Sequence, residues 1–186
     1  MVKLKLEIEG DKIKLRKLKL SDADNIYKNM SKEIVRWTTN IPWPYKKENA
    51  VKFIRKSNYG IKKKKEFVFG IVLKEADEVI GCIGLHKINW KNKNAELGYW
   101  LGKKYWGKGL TSEAVSLILK FAFKNLKLHR IYAIVFEGNI ASRRVLEKNG
   151  FKLEGISREC SFRYGRWRNK LRFGILKPKY EKLHRK

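Results

Sequence analysis

Acidic residues are scarce: 18 Asp and Glu stand against 45 Lys and Arg, a formal net charge of +27 over 186 residues. That balance disfavours cationic partners, and no acidic cluster stands out that would reverse it locally. Cysteine is nearly absent. Cys82 and Cys160 lie far apart and match no disulfide framework or metal-ligand spacing, and the three histidines, His86, His129 and His184, add none. Idle thiols in a reducing cytosol are the expectation, and no metal is expected. With only 3 prolines and no repeats or linkers, Pro-rich low-complexity structure is excluded. No stretch approaches the ~20 apolar residues of a membrane span, and the start, MVKLKLEIEGDKIKL, lacks a signal peptide's apolar run. A cytoplasmic protein away from the membrane is expected. Two common nucleotide signatures, G-x-x-x-x-G-K-[ST] and G-x-G-x-x-G, are also missing.

What is present is a globular composition, 43% hydrophobic and 12% aromatic, enough for one domain with a full core. That domain spans 1–186, with a core of about 12–177 and a basic tail over 178–186. The excess cations peak at Lys62–Lys65, Arg163–Arg172 and Lys177–Lys186. Such a surface attracts phosphates, RNA or an anionic cofactor. Heat adaptation also enriches Lys, but there Glu rises with it, and here acid does not keep pace.

Residues 12–18 (KIKLRKL) alternate like a half-exposed strand. Ser21 and Asp22 then open a helix with Ile26, Tyr27 and Met30 inward. Ile34 to Tyr45, rich in Pro and aromatics, reads as an irregular loop. A second helix turns Ala50, Val51, Phe53 and Ile54 inward. Strands are expected at Phe67–Leu73, Val79–His86 and Asn94–Leu101. Ala114, Leu117, Ile118, Phe121 and Ala122 then follow a helical period. A strand at Arg130–Phe136 and a short helix from Ile140 come next, with Asn139 as N-cap and Gly150 as the stop. Two last strands, Leu153–Tyr164 and Trp167–Lys177, meet in a hairpin at Gly165-Arg166. The order predicts a mixed α/β fold around one central sheet.

The most informative segment is KYWGKGLTSEA, 104–114. Gly107 and Gly109 sit between a strand and a helix, where glycine permits a tight turn and close backbone approach to a ligand. The helix start offers unpaired N–H groups and a positive dipole end, a ready site for a pyrophosphate.

Four pieces in order, AELGYWL (95–101), YWGKGLTSEA (105–114), EGN (137–139) and NIASRRVLEKNGF (139–151), resemble the GNAT N-acetyltransferases, specifically the RimJ/RimL-like ribosomal-protein acetyltransferase branch. GRWRNKLRFGIL from Gly165 is similar to that family's last hairpin. The likeness runs from about Ile13 to Leu176. It implies the acyl-CoA N-acyltransferase fold: a mostly antiparallel sheet flanked by helices, with a splayed parallel pair that binds CoA. It implies acetyl-CoA as co-substrate and a primary amine as acceptor. Lys104, Trp106, Gly107, Lys108, Gly109, Leu110 and Thr111 would hold the pyrophosphate, largely through backbone N–H groups. Tyr99, Trp100 and Leu101 would pair with the pantetheine arm as if it were an added strand. Gly98 either forms a bulge that opens this edge or serves close packing. Two positions depart from the family pattern: Lys104 replaces a Gln or Arg, and Asn169 replaces a common Asp.

Direct transfer from a thioester needs a neutral amine and a protonated leaving thiolate. Glu96 is the candidate base; its competing role is a surface carboxylate paired with a lysine. His86, near a strand end, is the alternative base, and water the third. Ser142 matches the family position near the CoA sulfur, where its hydroxyl would protonate the thiolate, unless it is only a helix-surface serine. Asn139 caps its helix and offers an amide to pantetheine or substrate. Trp37 and Trp43 line the acceptor site or merely pack their loop. An α-amine of pKa ~8 is about a tenth neutral at pH 7, but a lysine at ~10.4 only about once in 2,500, a difference of roughly 3.3 kcal/mol. A protein N-terminus, on a ribosomal protein beside RNA, is therefore the expected acceptor. The alternatives are a small-molecule amine such as a polyamine or antibiotic, or a non-catalytic RNA-associated module. A homodimer is compatible with the sequence.

Overall fold

The computed structural model describes residues 4–184. Eight strands form one sheet in the order β1-β2-β3-β4-β5-β6-β8-β7. They are β1 (Glu7–Glu9), β2 (Ile13–Lys17), β3 (Phe67–Leu73), β4 (Glu78–Asn89), β5 (Asn94–Leu101), β6 (Arg130–Phe136), β7 (Lys152–Arg163) and β8 (Arg166–Leu176). Every pairing is antiparallel except β5 with β6. The helices are α1 (Ala23–Asn29), α2 (Lys32–Arg36), α3 (Lys47–Lys62), α4 (Leu110–Lys120), α5 (Ile140–Lys148) and α6 (Lys177–Leu183). This is the mixed α/β sheet that the element order predicts, with the one parallel pair that the resemblance implies.

Alternation divides the strands between two faces. On one, Ile13, Leu15, Phe67, Phe69 and Leu97 meet Ala114, Val115 and Ile118 of α4. α4 continues into a π-helical turn, Phe121–Asn125, so the helical period found around Ala114 bends where Phe121 meets Phe67 and Phe69 edge-on at 5.4 and 5.3 Å. On the other face, Ile26 of α1 and Ala50 and Ile54 of α3 cover Val68, Val72, Val79 and Cys82. These helices stop at β4. Their cluster reaches Trp100 of β5; beyond it the same face of β6 and β8 stays open around Ile134 and Arg172.

The parallel pairing of β5 and β6 runs only from Asn94↔Arg130 to Leu97↔Ala133. Past Leu97, β5 stays on β4 while Ile134–Phe136 of β6 stay on β8. The bulge considered at Gly98 is not there. Gly98 pairs with Gly84 in unbroken register, and the irregularity falls between His86 and Asn89, where Lys87 has φ 48°. The strands part because their pairing ends.

Other boundaries also differ from expectation. The segment read as an irregular loop from Ile34 begins inside α2, where Ile34 and Val35 are buried. β1 is too short and charged to register as a strand. The last hairpin turns at Tyr164 and Gly165, both at positive φ (54° and 73°), one residue earlier than expected. The basic tail is folded through Leu183: α6 starts with Pro178 in its first turn and lays Tyr180 on Phe123, ring centroids 4.9 Å apart. Positions 185 and 186 of that tail lie outside the described residues, as do 1–3 at the other end.

The second face is tied to the sheet by a buried ion pair. Arg16 Nη1 and Nη2 donate to Asp22 Oδ2 and Oδ1 at 2.8 and 2.9 Å, and both side chains are nearly inaccessible. Removing the carboxylate strands a buried guanidinium. Asp22→Ala should lower unfolding free energy by about 3–5 kcal/mol in urea titrations. A loss below about 1 kcal/mol would mean water reaches Arg16.

Candidate active site

The gap between the parted strands is bordered by three features the fold brings together. The first is the free edge of β5, where the N–H and C=O groups of Gly98–Leu101 that point toward β6 meet no strand. The second is the start of α4. Gly107 and Gly109 adopt φ 75° and 78°, and a Cβ on either would meet nothing within 4 Å. No side chain caps this helix, so the first N–H groups from Leu110 onward face outward unpaired. A turn of open glycines before an uncapped eleven-residue helix fits a pyrophosphate. The side chains around it keep it in shape and positive: Trp106 Nε1 donates to the Leu101 carbonyl at 2.7 Å. Lys104 and Lys108 flank the Tyr105 ring at 4.9 and 5.9 Å.

The third feature is α5. Asn139 Oδ1 accepts from Ser142 N at 3.2 Å, the N-cap read from sequence, and Gly150 ends the helix at φ 85°. The cap leaves Ser142 one turn in, where its Oγ lies 2.9 Å from Tyr99 Oη. Tyr99 also donates to the Ser142 carbonyl at 3.3 Å. Burial, partly offset by the serine contact, pushes the Tyr99 phenol up to about 12. It therefore stays protonated at neutral pH. Sequence reading gave Tyr99 a backbone role only, because β-strand alternation does not say which helix a tyrosine will reach.

Glu96 faces the opposite side of the sheet. Its neighbours in register are His86 on β4 and Tyr132 on β6. Lys87 Nζ donates to Glu96 Oε2 at 2.8 Å, so both roles weighed for Glu96 are in view: a lysine partner and a position on the open face. The charge of Glu96 raises the Lys87 pKa, and burial with Glu96 behind it raises that of Tyr132. Trp100 lies on this face too, half-buried against the clusters around Cys82 and Met30. Leu101 is 5% exposed and contributes its carbonyl rather than its side chain.

The two loop tryptophans separate. Trp37 is half-buried, flanked by Arg36 and Arg168 at 5.0 and 5.8 Å and in reach of Gly138 beside the cap of α5. It walls the open face. Trp43 is 50% exposed and is not brought to the other candidates. Asn169 has a structural explanation: its amide donates to Glu137 Oε2 at 2.9 Å while its Oδ1 accepts from Glu159 N at 2.7 Å. An Asp there would set a carboxylate against Glu137. Cys82 is buried, with burial pushing its thiol up, and Cys160 is exposed on β7. Among the described residues no three His, Cys, Asp or Glu side chains are grouped to hold a metal, and no helix is long and apolar enough to cross a membrane.

A sheet parted at one parallel pair and a glycine turn feeding an uncapped helix suit an acyl-CoA-dependent transferase. Residues 12–152 match the family model described as an acetyltransferase (GNAT) domain. The chain belongs to the GNAT acetyltransferases and is an enzyme of that class, whose fold uses acetyl-CoA. It is 35% identical over 170 residues to an uncharacterized N-acetyltransferase p20 of Bacillus licheniformis, covering 91% of this chain and 96% of that one. Two relatives matched over little more than half their length carry different names. One is a putative ribosomal N-acetyltransferase YdaF of Bacillus subtilis, 35% identical over 54% of this chain and 55% of its own. The other is a spermidine N(1)-acetyltransferase of Escherichia coli, 32% identical over 58% of each. The fold superposes on a ribosomal-protein-S5-alanine acetyltransferase from Vibrio fischeri with a TM-score of 0.84 at 24% identity, covering 95% and 99% of the two chains.

Two substitutions test the site. Gly109→Val puts a β-branched residue at φ 78°, a strain of about 1–3 kcal/mol, and fills the open turn. CoA affinity by calorimetry should fall at least tenfold while circular dichroism stays native; unchanged affinity would remove the turn from the site. Ser142→Ala should lower kcat about 10²-fold with little change in CoA affinity, since thiolate protonation belongs to the transition state. Full turnover would leave Ser142 a packing role.

Proposed function

We propose that this enzyme acetylates the α-amine at a protein N-terminus, by direct transfer from acetyl-CoA, on a substrate that lies beside RNA in the cytoplasm. The observation that carries this reading is the charge. A +27 surface with most of its cations outside the cofactor turn repels free polyamines and suits a substrate embedded in phosphate. Lys62–Lys65 continue from the end of α3, and Lys179 and Lys182 ride on α6, exposed. The amine chemistry agrees, because an α-amine needs roughly 3.3 kcal/mol less deprotonation than a lysine. The ribosomal name of one relative fits, and the spermidine name of another is the reason for a direct contest between acceptors.

In the bound state acetyl-CoA supplies the activated thioester. The N–H groups from Leu110 onward and the glycine turn hold its phosphates, and the β5 edge takes its arm. Ser142, steadied by Tyr99, delivers a proton on the α5 side, while Glu96 and Trp37 receive the amine on the other.

A panel of peptides with free or blocked N-termini, lysine-containing peptides, spermidine and an aminoglycoside, read by CoA release, tests the acceptor. Free N-termini should give kcat/KM at least tenfold above every other acceptor. Spermidine as the best acceptor would overturn the reading. Neutralising Lys62–Lys65 should spare peptide acetylation and weaken activity on ribosomal particles, with a flatter dependence on salt. Equal effects on peptide and particle would count against an RNA-borne substrate.

A further inference from the structure

On the open face beside Glu96, one imidazole is already oriented. His86 Nδ1 lies 2.9 Å from Glu66 Oε2. In the neutral ring an accepting carboxylate places the hydrogen on Nδ1 and leaves the lone pair on Nε2. The glycine pair Gly84↔Gly98 makes room for that nitrogen. A Cβ on Gly84 would come within 2.9 Å of Nε2, and one on Gly98 within 3.5 Å. Gly98 is the first residue of β5 beyond the parallel pairing, so Nε2 sits over the point where the gap opens. The imidazole is about a third exposed and Glu66 about a fifth, so the ring meets solvent while its partner is shielded.

We infer that His86 is the base that takes the proton from the acceptor amine, with Glu66 as its positioning residue. This rests on the acetyl-transfer reading of the site. Glu96, its carboxylate shared with Lys87, draws the cationic amine to the same face. The charged and titratable groups that face His86 are Glu66 from before β3, Glu96 across on β5 with Lys87 bound to it, and the neutral phenol of Tyr132 beyond Glu96 on β6. The step balances simply. One N–H bond of the acceptor ammonium breaks and an N–H bond forms at Nε2, and the imidazolium later releases that proton to water. The neutral amine then forms the C–N bond as the C–S bond breaks, and its second proton reaches the thiolate through the Ser142 hydroxyl. The carboxylate on Nδ1 orients the ring and fixes its neutral tautomer, as a third group does in a nucleophile–base pair.

The pH profile of kcat/KM separates the candidates. His86→Gln should lower kcat/KM about 10²-fold and remove the acidic limb, leaving CoA affinity within twofold of wild type. Glu66→Gln can turn its NH2 toward Nδ1 and so release the tautomer that the carboxylate fixes. It should cost about tenfold in kcat/KM with CoA affinity unchanged, and Glu66→Asp should recover part of the loss. Glu96→Gln should raise KM for the amine and keep the limb. A limb that persists in His86→Gln, or vanishes in Glu96→Gln instead, would overturn the assignment, as would full activity in Glu66→Gln. A wild-type protein that binds no CoA and turns over no amine would instead refute the acetyl-transfer reading itself.

Discussion

The pairing between β5 and β6 ends at Leu97↔Ala133, and the proposed cofactor site depends on that ending. A parallel pair inside a sheet normally continues, because each unpaired backbone group away from water costs free energy comparable to a lost hydrogen bond. Here each strand keeps its outer partner, β4 for one and β8 for the other, so the gap opens without unravelling the sheet. The free edge of Gly98–Leu101 is then a template for an extended ligand. The crossover between the strands delivers the N-terminus of α4 beside it, and the short return after β6 delivers Ser142.

The gap also separates two chemistries. On the α5 side, Ser142 and a phenol that stays protonated sit together, suited to giving a proton. On the opposite face, Glu96 and His86 lie side by side on β5 and β4, with Glu66 reaching His86 from against Gly60 of α3, suited to drawing and holding one. The two groups lie on opposite faces of one strand. Alternation along β5 achieves this: Tyr99 points one way, and Glu96 and Gly98 the other.

Much of this was legible in the sequence where local rules decide. The α4 turn could be read because only glycine adopts positive φ readily, and the α5 cap because Asn139 and Gly150 have defined roles at helix ends. The central strands showed in their apolar runs. What stayed hidden depends on distant pairing. Nothing local brings Glu66 to His86, 20 residues on, or Ser142 to Tyr99, 43 residues back. The cause of the splay was also illegible. Gly98 suggested a bulge, yet the register passes through it, and the parting follows from which neighbours β5 and β6 keep. α2 was missed because five residues give too little period to read, and α6 because its cations masked one buried tyrosine.

The central claim is that the free β5 edge and the start of α4 bind one ligand together. Amide hydrogen exchange with and without saturating CoA tests it most directly. The account predicts slowed exchange at amides within Gly98–Leu101 and Leu110–Ser112 on CoA addition, with the β1–β2 end of the sheet unchanged. Unaltered exchange at both segments under saturating CoA, or slowing at one without the other, would contradict it.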